Sequence, residues 1–360
     1  MITEKKEVIP IAKFYTNEIV FRSHPDKVCD QISDALLDAY MSQDRNSRCG
    51  IETIGGKGTI FVTGEVTSTA NVDIESVVKK VLSDVGYSTD YKIINNIGLQ
   101  SPDISQGVDV GGAGDNGMMF GYACRETDNY IPLAMHILQT LSLYYDSLRI
   151  KDKRFLPDGK AQITGCYDEQ GKLRYIKDFV ICYQNTEEDR KSTDKILVDF
   201  CRDICHEHYI SIENFHINPT GKFLIGGFDG DSGLTGRKIV VDNYQGFAPV
   251  GGGAYSGKDP TKVDRSGAYK ARQIAIRYLN KHSELEWVQV QLSYAIGIAE
   301  PMAIYINTNK GEIREGIREL YNECTPENII KDLHLKDGSF KYIDTAKYGH
   351  FGICNFPWEN

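Results

Sequence analysis

Val28, Ile32, Ala35, Leu36 and Ala39 recur at the spacing of one helix face, so residues 26–40 are predicted to form a helix. Ile60, Val62 and Val66 lie in a β-branched stretch, and residues 58–69 read as a strand. A second helix is predicted over 73–85, with Asp73 or Asn71 as its N-cap. Farther along, the pattern predicts helices over 131–148, 188–206 and 261–281. Strands are predicted at 161–167, 175–183 and 288–298, and at the short runs FLIGG (223–227) and KIVVD (238–242). Helix, strand and glycine-rich loop alternate three times, which points to three α/β units whose sequence similarity alone does not establish a repeat.

Residues 100–117, QSPDISQGVDVGGAGDNG, break this pattern: they are too polar for a core and too long for a tight turn. Loops of that kind are linkers or mobile functional lids. At 360 residues the chain is long enough for two or three domains. It shows no apolar run of membrane-spanning length and no targeting pattern at the start, so a cytoplasmic protein is expected. Nine cysteines at irregular spacing suggest reduced, packed thiols rather than a disulfide framework. Cys201, Cys205, His206 and His208 lack a second ligand segment and read as part of a helix, not a zinc site. The net charge of −9 argues against general nucleic-acid binding. Yet Arg237, Lys238, Lys258, Lys262 and Arg265 cluster around a glycine-rich stretch, which suits a small polyanion held at one site, or else a solvated face.

Several short patterns carry candidate chemistry. Gly112, Gly114 and Gly117 fit G-x-G-x-x-G, but the dinucleotide fingerprint follows an apolar strand and this one follows SPDISQGVDV. Residues 230–233, GDSG, look like a serine-protease nucleophile loop without the remaining triad context. GGGAYSGKD (251–259) satisfies G-x-x-x-x-G-K from Gly252, with Asp259 where a P-loop has Ser or Thr. Glycines backing a lysine suit a phosphate cradle, and a turn with an exposed lysine is the other reading.

GAGDNGMMFGY (112–122) and GGGAYSGKD (251–259) closely resemble the two signature segments of the S-adenosylmethionine synthases. SHPDK (23–27), SPDISQGVD (101–109), GDSGLTGRK (230–238) and YGHFG (348–352) resemble further segments of that family, in the same order. The resemblance covers about residues 15–358. It implies three structurally similar α/β (α+β) domains with mixed sheets, divided at 1–100, 112–226 and 227–360, with 101–111 as a mobile gate. It also implies the reaction: methionine sulfur attacks C5′ of ATP, and the displaced triphosphate is hydrolysed to pyrophosphate and phosphate. A thioether needs no general base, so the work lies in alignment and in stabilising the leaving group.

Carried over position by position, His24 resembles the histidine beside the leaving O5′. Asp26 and Asp264 match magnesium carboxylates, two ions per site being expected, and Glu52 matches a potassium position. Lys160, Arg237, Lys238 and Lys258 match triphosphate-binding positions. Asp158, Lys222, Phe223, Asp231 and Ala254 match nucleotide contacts. Glu65, Asp115 and Asp231 resemble the acidic methionine contacts, and Gln100 and Lys262 the partners of its carboxylate. The implied partners are ATP, L-methionine and a second copy of the chain, as a homodimer with interface active sites or a tetramer, with no nucleic acid and no membrane. Arg22, Ser23, Asn116, Tyr255 and the run Ile353-Cys354-Asn355 depart from the family pattern, and an added Cβ at 23 would strain a backbone of positive φ. A silent nucleotide-binding homologue that partners an active subunit is the alternative, as is a tripolyphosphate hydrolase. The intact charged set argues against the first, and Glu65 with Gln100 against the second.

Overall fold

A computed structural model describes residues 13–100, 111–353 and 355–360; the gate expected over 101–111 lies outside them except for its last residue. The chain makes one motif three times: a strand, a long helix, then an antiparallel strand pair. The first passage is β1 (Lys13–Val20), α1 (Pro25–Gln43), β2 (Arg48–Gly56) and β3 (Thr59–Thr67), completed by α2 (Ile74–Val85) and β4 (Lys92–Gly98). The second is β5 (Gly117–Cys124), α3 (Leu133–Lys151), β6 (Phe155–Tyr167) and β7 (Leu173–Asn185), then α4 (Arg190–Glu207) and β8 (Ser211–Ile217). The third is β9 (Gly233–Leu234), α5 (Val263–Lys281), β10 (Trp287–Tyr294) and β11 (Ala303–Thr308). It ends with β12 (Gly311–Ile313), α6 (Ile317–Glu323), α7 (Pro326–Asp332) and α8 (Tyr342–Tyr348).

The first strand of each passage leaves its own unit. The three four-stranded sheets run β1-β6-β7-β8, β12-β11-β10-β5 and β4-β3-β2-β9. Thus β1 pairs with β6, β5 with β10 and β9 with β2, so the three sheets are interlocked in a ring of exchanges. Parallel pairs β3–β4 and β7–β8, each joined through a helix, make two of the sheets mixed, as expected; the third is antiparallel. Each sheet buries one face against its own apolar cluster.

The helices start and stop where side-chain chemistry directs. Pro25 opens α1 behind His24, whose ring nitrogen Nδ1 accepts the Asp26 N–H at 3.2 Å. Asp73 caps α2 by accepting the Ser76 N–H at 3.1 Å, and Gly86 closes it in the left-handed conformation. Neither short apolar run is a strand. Residues 223–226 are irregular and Gly227 begins a one-turn helix at φ +62°, while Ile239–Asp242 forms another single turn. Five apolar residues do not distinguish strand from turn by periodicity, and here tertiary bonds decide: Asp158 takes the Gly227 N–H, and Lys27 takes the Asp242 carboxylate.

α5 lies directly on β5 at Gly121, where a Cβ would stand 2.1 Å from the Ala271 carbonyl. Gly121→Ala is therefore expected to destabilise the chain by about 1–3 kcal/mol, the usual range for overpacking. Thermal denaturation checks this, and an unchanged melting temperature would mean that α5 slides away at no cost.

Candidate active site

His24, Asp158, Lys160, Phe223, Ile225 and Asp231 line one cavity of about 250 Å³. They come from the turn before α1, from β6 and from the irregular segment ahead of β9, all brought together by the strand exchange. Because Nδ1 of His24 accepts the Asp26 N–H, the proton of the neutral ring sits on Nε2, the nitrogen left for the cavity. The imidazole is neutral: burial first, then Lys238 and Lys160, push its pKa down to about 4 against the opposing pull of Asp26 and Asp231. Asp158 is pushed up to about 6 by burial, even though its carboxylate accepts the Gly227 N–H at 2.8 Å. Lys160 makes no ion pair among the described residues and stands on β6 at the cavity wall. Lys222, by contrast, turns outward to Glu187 at 2.6 Å, so of the expected Lys222–Phe223 pair only Phe223 lines the cavity.

Beside this cavity Asp26 is 1% exposed and collects cations. Lys238 Nζ lies 2.5 Å and Arg237 Nε 3.3 Å from its carboxylate, which also accepts the Leu234 N–H at 3.0 Å. A second group forms around the 251–259 loop. Lys258 Nζ is 2.6 Å from Asp264. Gly253 leaves room for that carboxylate, since a Cβ there would be 2.2 Å from Asp264 Oδ1, and a Cβ on Gly50 would be 2.7 Å from Glu65 Oε1. Gly50 bridges to Lys258 and pairs with Glu65, whereas β9 pairs with β2 at Ile54 and Gly55. The two groups thus attach to β2 about 14–17 Å apart at ~3.4 Å per residue, and their loops touch where Gly236 meets Ala254.

Asp259 does not face a phosphate. It is fully buried and accepts from Lys262 Nζ at 2.6 Å and from the Cys49 N–H at 2.8 Å, so Lys262 is held on it. Asp115 accepts the Asn116 N–H, and Glu52 is exposed on β2, midway along the strand between Gly50 and Ile54. Gln100 is the last described residue before the gap. Ser23 carries no strain: it is absent from the residues of positive φ, and its hydroxyl donates to the Val85 carbonyl at 3.0 Å. Asn116 and Tyr255 likewise have partners, in the Ile296 N–H and in Asn243.

Among the described residues no group of three or more His, Cys, Asp or Glu side chains gathers as a metal cage. Asp26 and Asp264 instead offer single hard carboxylates next to lysines, which suits magnesium shared with phosphate oxygens and water. Glu52 alone is one exposed carboxylate.

Sequence reasoning missed a row of carboxylates on α1. Asp26, Asp30, Asp34 and Asp38 follow one another at i, i+4 spacing, and each accepts main-chain N–H groups from far along the chain: Leu234, Gly236, Gly257, and Tyr342 with Ile343. The sequence carried no direct signal, because at ~100° per residue the four aspartates lie on the side of the helix opposite Val28, Ile32 and Leu36, where an acidic row reads as a solvated face.

Family profiles match nearly the whole chain: S-adenosylmethionine synthetase N-terminal domain at residues 12–102, central domain at 110–223 and C-terminal domain at 225–360. The chain is 41% identical to the S-adenosylmethionine synthase of Fusobacterium nucleatum subsp. nucleatum, over 96% of this chain and 95% of that one. It is also 41% identical to the S-adenosylmethionine synthase of Clostridium tetani, over 97% of each. A similar relative in Nitratiruptor sp. bears the same name at 41% identity, over 96% of this chain and 95% of that one.

Proposed function

The chain belongs to the S-adenosylmethionine synthetase family and forms S-adenosylmethionine from ATP and L-methionine, and on that premise we propose how its residues divide the reaction. The observation that carries the proposal is His24 on the wall of the cavity it shares with Lys160, its Nδ1 taken by the Asp26 N–H so that Nε2 remains as the donor. Phe223 offers the adenine an aromatic face, and Asp158 with Asp231 borders the nucleoside. As the methionine sulfur bonds to C5′, the C5′–O5′ bond breaks and its electron pair goes to the triphosphate oxygen. His24 donates a hydrogen bond to that oxygen as charge develops there, and Lys160, Arg237, Lys238 and Lys258 bind the rest of the chain. Water then cleaves the triphosphate to pyrophosphate and phosphate.

Asp26 and Asp264 are the residues that would hold magnesium, which supplies charge neutralisation of the phosphates when bound. Until then Lys238 and Lys258 balance these carboxylates, so the same lysines are poised to turn to phosphate. Glu65, Asp115 and Asp231 receive the methionine ammonium, and Gln100 and Lys262 its carboxylate. Glu52 is assigned to potassium on family resemblance. A homodimer accords with the sheet faces that carry no helix, where Ile54, Met118 and Tyr305 are exposed. Among the described residues no helix is long and apolar enough to cross a membrane.

Incubation with ATP, magnesium, potassium and methionine, followed by mass spectrometry, tests the reading. S-adenosylmethionine with pyrophosphate and phosphate is expected, and nucleotide binding without turnover would favour the silent homologue. For the metal assignment, Asp264→Asn is expected to raise the magnesium concentration for half-maximal rate. Even outer-shell partners of a metal cost about 10- to 100-fold in affinity when removed, so a direct ligand should cost no less. An unshifted magnesium titration would remove Asp264 from the metal site.

A further inference from the structure

The segment that carries Arg237 and Lys238 has almost no regular structure: two residues of β9, a turn, then the single helical turn Ile239–Asp242. Something else must fix it. Asp30 accepts the Gly236 N–H at 2.8 Å, immediately before the two cations. Lys27 reaches the Asp242 carboxylate at 2.6 Å, just after them, and the same ammonium lies 3.3 Å from Asp30. Both ends of the cationic stretch are therefore tied to one point on α1. Lys27 and Asp30 are 1% and 2% exposed, and neither lines the His24 cavity.

Stability alone does not account for this arrangement. Two carboxylates and one ammonium are taken out of water here, and well-packed apolar residues commonly do as well or better at such positions. What apolar residues would not supply is an acceptor for the Gly236 amide and a counter-ion for Asp242. Gly236 itself sits at φ +80° and rests on Ala254, so its place is set from both sides. Arg237 has a side chain 46% exposed; upstream its backbone is held by its own N–H on the Leu234 carbonyl and by Thr235 on Thr53, while downstream the tie is Lys27 with Asp242.

We propose that Asp30 and Lys27 are positioning residues for the triphosphate, clamping residues 236–242 so that Arg237 and Lys238 meet the phosphate chain in a fixed geometry. This rests on the reading of those two cations as triphosphate ligands. Neither Asp30 nor Lys27 touches substrate. Both act through the backbone that they hold.

Hydrolysis of inorganic tripolyphosphate by the full-length protein, with kcat and KM separated and melting temperature measured alongside, tests the clamp. Asp30→Ala is expected to lower kcat/KM for tripolyphosphate by about 100-fold, the scale of a misplacement of an ångström or so, with a rise in KM. Asp30→Asn keeps an oxygen that can accept the Gly236 N–H and is expected to recover most of that loss. Asp38→Ala provides the control: this carboxylate lies on the same row of α1 but accepts from Tyr342 and Ile343. It should lower the melting temperature and leave tripolyphosphate kinetics unchanged. If Asp30→Ala does not fold, Asp30→Glu keeps the charge while displacing the acceptor, and an unchanged KM in that variant overturns the proposal. So does loss of activity in Asp30→Ala and Asp38→Ala only in step with loss of stability. Lys238→Ala separates the two levels: normal tripolyphosphate kinetics there would sink the phosphate-cation reading, whereas an impaired Lys238→Ala beside an unimpaired Asp30→Ala would sink only the clamp.

Discussion

Replacing His24 by asparagine is expected to lower kcat for S-adenosylmethionine formation by about 100- to 1,000-fold, the range for losing one donor to a developing oxyanion. Asparagine is the informative choice because its side-chain oxygen can still cap α1 by accepting the Asp26 N–H, as Nδ1 of His24 does. The fold should therefore survive, and the melting temperature should stay close to that of the parent. Hydrolysis of added tripolyphosphate should also survive, since no C5′–O5′ bond is broken in that step. A variant that lost both activities equally would show that His24 supports the whole cavity rather than the leaving oxygen.

The pH dependence gives an independent check. With its pKa pushed down to about 4 by burial and by Lys238 and Lys160, His24 is neutral throughout the physiological range. The parent should therefore show no inflection in kcat near 6.5 that disappears in His24→Asn. An inflection near 6 that persists in the variant would belong to the buried carboxylates Asp158 and Asp30, both of which burial pushes up to about 6. The sign for stability follows from linkage: the folded state binds fewer protons at His24 than the unfolded state does. That contribution is present above about pH 6.5 and is lost as pH falls toward 4. A histidine-dependent inflection between 6 and 7 would refute the neutral-donor role.

The largest stability effect is expected at Asp34 and Arg265. Both side chains are fully buried and joined by two parallel bonds of 2.7 and 2.8 Å. Asp34 also accepts the Gly257 N–H at 2.8 Å, and Arg265 donates to the Lys258 carbonyl at 3.0 Å and lies over the Tyr342 ring at 4.4 Å. Removing one member strands a buried charge, so Asp34→Ala or Arg265→Ala should cost about 3–5 kcal/mol. Replacing both by apolar residues should cost clearly less than the sum of the two single changes, because no unpaired charge remains. Denaturant unfolding of the singles and the double measures this coupling. Additive losses would mean that the two groups act independently. The Asp34 variant should also lose activity, since the Gly257 amide that it holds adjoins Lys258.

Much of the site was legible without coordinates. His24, Asp158, Lys160, Phe223 and Asp231 were all designated from motifs, and the fold brings them around one cavity. Lys222 was designated with Phe223 yet pairs with Glu187, because a side chain on an irregular segment takes whichever carboxylate lies in reach. The added Cβ at Ser23 would bring strain only on a backbone of positive φ; the backbone there is not in that region, and the hydroxyl finds the end of α2.

The sequence by itself determined the long helices and the cap at Asp73, because these depend on neighbours within a turn. It also singled out the charged residues proposed for the chemistry, through resemblance to motifs whose order survives in one dimension. Only the tertiary structure decided that β1, β5 and β9 leave their own units, that FLIGG and KIVVD are not strands, and that the aspartates of α1 hold loops from the other end of the chain. Those outcomes turn on partners distant in sequence, from Asp158 with Gly227 (|i−j| = 69) to Asp30 with Gly236 (|i−j| = 206) and Asp34 with Gly257 (|i−j| = 223). Hydrophobic period records which face of an element is buried, not which segment buries it; strand exchange and the carboxylate row are choices of partner, settled when the chain closes on itself.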